Sequence, residues 1–210
     1  QLSRVQTATQ DFAGAEESIR RAMAVFEEFA GKEHRLTFEA ENDLGRLLDA
    51  TDRPVEAVPH LERALADRLK RLGPLHWSSV STGSWLALAR LNAGDVASAL
   101  AAAAALDRDI AADARLVKDR GGIVAWVHAR ALLVAGKADS ARVALARAEP
   151  LLLARHGEQS PWLVEAGLLA AEIALARGDL GEAGERLAAI ATQLTGGAAT
   201  DALFGAGSGN

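Results

Sequence analysis

The sequence predicts an all-α fold, a solenoid of stacked antiparallel helix pairs about four and a half repeats long. Three observations carry that expectation. Ala15, Ala57, Ala99, Ala141 and Ala183 stand 42 residues apart in succession. Ile19, Leu61, Ala103, Leu145 and Leu187 follow them by four positions, and Ala22, Ala64, Leu106, Ala148 and Ile190 by seven. Those offsets stack side chains on one face of an α-helix. Turn formers keep the same interval: Gly94, Gly136 and Gly178 precede their alanines by five, with Gln10 and Asp52 in the remaining slots.

The chain has 210 residues, half of them hydrophobic, so it can bury a large surface and is not disordered. Alanine and leucine dominate and tyrosine is missing, which favours helix. The net charge is −5, from 23 basic and 28 acidic residues. That balance lacks the positive field that nucleic acid requires. With no cysteine there are no disulfides and no thiolate metal sites. No apolar run reaches the ~20 residues of a membrane helix, so no membrane insertion is expected. The compartment stays open between cytoplasmic and extracellular, the latter if the protein forms a filament.

The first pair retains part of its first helix, Leu2 to Thr9. In the second pair one helix runs from about Leu36 to Ala50, with Leu36, Ala40, Leu44, Leu47 and Leu48 on one face. Asp52 and Pro54 then punctuate, and proline suits only a helix start. The partner helix runs from about Pro54 to Arg71, facing inward through Ala57, Leu61, Ala64, Leu65 and Leu69, and Gly73-Pro74 ends it. Gly94-Asp95 and Gly178-Asp179 are the same joint in later pairs. Glycine closes one helix in the left-handed conformation, and aspartate accepts the free N–H groups of the next. So short a turn makes the two helices antiparallel.

A second joint recurs at Gly31, Gly73 and Gly157, again at 42 residues or a multiple of it. Arg115 fills the skipped slot and Gly121-Gly122 lies nearby, so an irregular start is expected there. The repeating alanines mark close helix crossings that admit only a small side chain. Residues 1–195 form the repeat domain. Residues 196–210 form a tail rich in Gly, Ala and Ser, with Leu203-Phe204 as its apolar anchor.

The pattern resembles the tetratricopeptide repeat, in the long form found in kinesin light chains. Leu44-Gly45, Leu48, Ala57, Leu61 and Ala64 carry the likeness, with Gly73-Pro74-Leu75-His76 similar to the joint between repeats. Ala57-Val58-Pro59-His60-Leu61 looks like the family's second helix. The aromatic residues usual on the first helix are mostly Leu or Ala here. The resemblance implies a right-handed superhelix whose first helices line a concave wall. Some family members grip a C-terminal carboxylate with Lys and Asn; Asp43 and Arg46 stand where part of that grip would be, so it is not carried over.

No catalytic or metal-binding constellation emerges, and no cofactor is expected. His34 and His76 are one repeat apart and occupy equivalent joints. His60 lies on a second helix, His128 on an inner position of a first helix, and His156 at a helix end where a cation suits the dipole. No two have the i, i+4 spacing of a helical zinc site. Glu16-Glu17 and Glu27-Glu28 are solvated faces, because adjacent residues on a helix point apart. The run from Gly205 to Gly209 has no helix after it to present to phosphate.

Binding residues are the better candidates. The register places Glu39, Asn42, Arg46 and Asp49 on the concave wall, then Ser81, Ser84, Leu88 and Asn92. Trp126, Arg130 and Leu133 follow, then Leu168, Glu172 and Leu175. The wall is polar early and apolar late, which suits a peptide or protein partner of both characters. The leading expectation is therefore a non-catalytic interaction scaffold. A second is head-to-tail self-assembly into an oligomer or filament, through uncapped ends that bear Leu2 and Val5 on one side and Leu187, Ile190 and Leu194 on the other, with Leu203 and Phe204 docking on a neighbour. A third is the sensor or docking arm of a larger bacterial signalling protein, since Gln1 opens partway through a repeat.

Overall fold

Every regular element among residues 12–195, which the computed structural model describes, is helical. Helices α1 (Phe12–Ala30), α2 (Arg35–Ala50), α3 (Pro54–Leu72), α4 (Trp77–Asn92) and α5 (Val96–Ile110) belong to one compact body, which ends at Ile110. Helices α6 (Gly122–Val134), α7 (Ala138–His156), α8 (Pro161–Ala176) and α9 (Leu180–Thr195) belong to a second, which begins at Ala111. Within each body every helix packs on the one before it. The first helices of pairs are α2, α4, α6 and α8; the second helices are α3, α5, α7 and α9, with α1 as an additional second helix. The expected α-solenoid of antiparallel pairs is thus present, and both helices of the second pair begin and end within about one residue of the sequence expectation.

The short joint closes with the same hydrogen bonds four times. Gly94 N–H donates to the Leu91 carbonyl at 3.0 Å and Asp95 N–H to the Arg90 carbonyl at 2.8 Å. Gly136 with Lys137 and Gly178 with Asp179 repeat the pattern, as do Asp52 and Arg53. This is the Schellman closure, which needs one left-handed residue. Gly94, Gly136 and Gly178 have φ of 87°, 74° and 78°. Asp52 is the non-glycine residue there, at φ 60°, a conformation its short polar side chain tolerates. The Asp95 and Asp179 carboxylates then accept from the N–H groups of Ser98 and Glu182, at 3.1 and 2.9 Å.

The longer joint also repeats. Gly73 and Gly157 have φ near 80° with ψ of 168° and 170°, a region open to glycine alone. Three residues on, a side chain caps the next helix. His34 Nδ1 accepts from Leu36 N–H at 3.3 Å, His76 Nδ1 from Ser78 N–H at 3.2 Å, and Ser160 Oγ from Trp162 N–H at 3.2 Å. The two joint histidines are therefore caps. At the remaining joint, Asp113 caps a three-residue turn, Ala114–Leu116, which passes through a π-helical stretch, Val117–Gly121, into α6. The expected irregularity has a packing cause. A Cβ on Gly122 would sit 2.9 Å from the Leu152 backbone nitrogen, so only glycine lets α6 start this close to α7.

All five repeating alanines are buried, none more than 3% exposed. Opposite them runs a second small column, Gly45, Ala87, Ala129 and Ala171, again 42 apart and buried. A Cβ on Gly45 would lie 2.6 Å from Leu61 Cγ and 3.1 Å from the Ala57 carbonyl oxygen. Ile190 is a correction. It was expected to want cover, yet it is 8% exposed, because Gly167 opens a seat for it. Leu2, Val5, Leu203 and Phe204 lie outside the described residues. Replacing Ala141 with Leu is expected to overpack its crossing and destabilise by about 1–3 kcal/mol, read as a lower melting temperature. An unchanged melting temperature would show that the crossing is loose.

Candidate interaction face

In the first body, α2 and α4 lie side by side and share one polar row. Asn92 Nδ2 donates to Asp49 Oδ1 at 2.9 Å, bridging the two helices. The Arg46 guanidinium sits 4.7 Å from the centre of the Trp85 ring, a second bridge. Glu39 is exposed and accepts from Arg35 Nη1 at 2.9 Å. Glu39, Arg46 and Asn92 therefore face solvent, with Asp49 and Ser81 half-covered beside them.

Asn42, Ser84 and Leu88 are corrections to the expected wall: each is buried. Asn42 Oδ1 accepts from Thr82 Oγ1 at 2.8 Å and from Arg68 Nη1 at 3.2 Å. Arg68 also donates to the Ser78 carbonyl at 3.1 Å and contacts Thr82. It is a hub between α2, α3 and α4, and burial lowers its pKa, with Glu39, Asp43 and Asp67 pulling the other way. Ser84 Oγ donates to the Val80 carbonyl of its own helix at 2.9 Å. Asn42, Ser84, Trp126 and Leu168 share one repeat slot, and only Leu168 is exposed. The slot points toward the neighbouring first helix rather than the open wall.

In the second body Trp126 is buried, its ring edge-on to Trp162 at 5.7 Å. Arg130 lies 5.6 Å from the Trp126 ring centre. Leu133 is half-buried, while Leu168, Glu172 and Leu175 are exposed, the leucines by 38% and 51%. This body therefore presents Leu133 and Leu175 at the slot of Asp49, while Arg130 and Glu172 keep charge at the slot of Arg46.

A cavity of about 260 Å³ opens where the start of α2, the end of α3 and the start of α4 meet. Two of its three arginines are paired, as Arg71 Nε donates to Asp67 Oδ1 at 2.7 Å and Arg35 is bound to Glu39, while the third, Arg68, is held by the neutral acceptors already described. Trp77 stands at the rim, 54% exposed, against His76.

Sequence reasoning missed two charged groups drawn into the packing, one buried and one half-buried. Glu41 is fully buried, touching His60 Nδ1, with Arg63 Nη1 2.7 Å from Oε1 but off the angle of a hydrogen bond. Its seclusion keeps substrates away from this carboxylate. The signal was available: Gly83, Ala125 and Gly167 fill the same slot in the other pairs. Arg68 likewise interrupts a column of Ile110, Leu152 and Leu194. Among the described residues no group of three His, Asp or Glu side chains converges to hold a metal ion. No described helix is long and apolar enough to cross a membrane.

The comparisons agree with this geometry. Residues 1–70 match the family model of the tetratricopeptide repeat. Residues 1–70 therefore carry the tetratricopeptide repeat. The chain's repeats, in the 42-residue form, are similar in fold to crystal structures of nearly identical TPR-like repeats from a Podosopora anserina protein assigned as a kinesin light chain. A point variant of that protein aligns at 21% identity and a TM-score of 0.71, over 93% of this chain and 92% of that one. The unmodified repeats align at 21% identity and a TM-score of 0.68 with the same coverage. No curated protein matches the sequence.

Arg68→Met keeps the aliphatic stem of the hub and removes its donors. The expected loss is about 1–3 kcal/mol in urea unfolding, from acceptors left buried without them. An unchanged midpoint would show that water serves those acceptors equally well.

Proposed function

We propose that this chain is built of tetratricopeptide repeats throughout and is a non-catalytic scaffold that holds a peptide or protein partner against the exposed faces of its first helices. The observation that carries the reading is the row on α2 and α4. Arg46 over Trp85 and Asn92 on Asp49 hold polar and charged groups in fixed positions across two helices. Fixed groups bind with less loss of side-chain entropy than mobile ones. The partner in this reading has a polar stretch that matches that row. Catalysis instead needs convergent polar groups in a shielded pocket, and the buried polar groups described above are spent on packing. The test is a pull-down with the double variant Arg46→Glu and Arg130→Glu, with folding checked by circular dichroism. Partners retained by the unaltered chain should be lost; retention of every partner would refute recognition by this face.

A second reading, self-assembly, has one observation in its favour. Leu180, Leu187 and Leu194 fall at intervals of seven on α9, one stripe, exposed by 73%, 46% and 69%. A copy of the chain stacking head-to-tail would cover it. Light scattering should show mass rising with concentration, and Leu187→Glu should reverse the rise. A chain that stays monomeric at high concentration removes this reading.

A further inference from the structure

The repeat leaves a groove between successive second helices, floored by the first helix between them. In the first body the groove lies between α3 and α5 over α4; in the second, between α7 and α9 over α8. The two are built from equivalent residues 84 positions apart, such as Leu69 with Leu153, Gly83 with Gly167, and Leu106 with Ile190. Each floor is a glycine. A Cβ on Gly83 would lie 3.2 Å from Leu106, and one on Gly167 would lie 3.0 Å from Ile190.

Their contents differ. In the second body Arg186 Nη1 donates to Glu149 Oε1 at 2.9 Å, an ion pair across the groove. Leu65 and Ala102 stand in those columns in the first body and leave it unbridged. The result is a mostly apolar cavity of about 180 Å³. Leu69 and Leu75 line it while 43% and 46% exposed, and at its edge Arg90 is already held by Glu62 at 2.8 Å.

One polar group in this cavity lacks a partner. Ser79 is 1% exposed and its hydroxyl makes no hydrogen bond. Thr37, its equivalent one repeat earlier, donates to the Gly31 carbonyl at 3.1 Å. Ser84, farther along α4, donates four residues back. Ser79 does neither, because the residue four back is Leu75, in the non-helical joint, and the hydroxyl makes no bond to Gly73, the counterpart of Gly31. Leu163 occupies this column in the second body.

We propose that this cavity is a binding site for a small, uncharged, mainly apolar molecule bearing one hydrogen-bonding group, phenol in size and kind. The volume suits one aromatic ring, since a void of ~150 Å³ accepts benzene. The lining disfavours an ion: its two charged residues, Arg90 and Asp109, already face Glu62 at 2.8 Å and Arg108 at 3.6 Å, so an ion would lose its hydration without gaining a free counter-charge. The Ser79 hydroxyl supplies the one polar contact.

The test is a titration followed by the methyl resonances of Leu69, Leu75, Val80 and Leu106, with phenol, toluene and benzoate as probes. Phenol should shift these methyls saturably, toluene should bind more weakly, and benzoate should not bind. Ser79→Ala should weaken phenol by roughly 2- to 10-fold, the range of one neutral hydrogen bond, and leave toluene unchanged. Leu65→Glu with Ala102→Arg grafts the bridge of the second groove onto the first and should abolish both. The proposal is overturned if phenol gives no saturable shift at these methyls, if benzoate binds as tightly as phenol, or if Ser79→Ala changes phenol and toluene alike. Should the graft fail to fold, the Ser79→Ala contrast decides alone.

Discussion

The two helices of a pair approach so closely that a β-carbon on Gly45 would meet the Leu61 side chain and, almost as closely, the Ala57 backbone. Helices at that distance gain dispersion contacts along their length, but only if both backbones present small residues at the crossing. Two columns meet the condition, one from each helix, and both keep the 42-residue interval. The turn between the helices has to be equally constant, since a residue added there would slide one column past the other. The fourfold Schellman closure is how that constancy is achieved.

Around this contact, volume is conserved by exchange between facing slots. Where the second helix carries a large residue seven positions after its alanine, as Leu106 or Ile190, the first helix carries Gly83 or Gly167. Where the second helix carries Ala148, the first carries Ala125. A core packed to crystal-like density permits no other trade without strain or a void. Glu41 is the extreme case. It faces Ala64 in the pattern, and its carboxylate is accommodated because His60 and Arg63 reach it from α3.

Much of this was legible in the sequence. The spacing of the alanines and glycines is a direct record of a backbone constraint, so it gave helix pairs, joints and the irregular approach to α6. The face of each helix was harder. Asn42, Ser84 and Trp126 differ in chemistry, and nothing in their identities separates a slot facing solvent from one facing the next first helix; a turn of one position along α2 exchanges the two. Arg46 is exposed, but its seat on Trp85 depends on a contact between helices that periodicity does not encode. The histidine caps were placed at the right joint without their role, because capping by an imidazole leaves no signature apart from position.

Residues that break a column carry more information than those that keep it. The frame would stand with an apolar residue at position 68 and a small one at position 41, as the equivalent slots demonstrate. A buried polar group has to recover its lost hydration from partners, and a frame needing only shape does not call for one. Arg68 meets this need through Asn42 and Ser78, and so ties α2, α3 and α4 together by direction as well as by packing, while Glu41 draws on the charged side chains of α3. Direction matters for the row above them. Arg46, Asp49 and Asn92 present a defined pattern only while α2 and α4 keep one register, and apolar contact alone permits small slips between helices. The Arg68 hub fixes that register from below, with Asn42 on one helix and Ser78 and Thr82 on the other held to a single guanidinium. Asn42, first assigned to the surface of the groove, thus contributes from underneath by fixing where the surface residues stand.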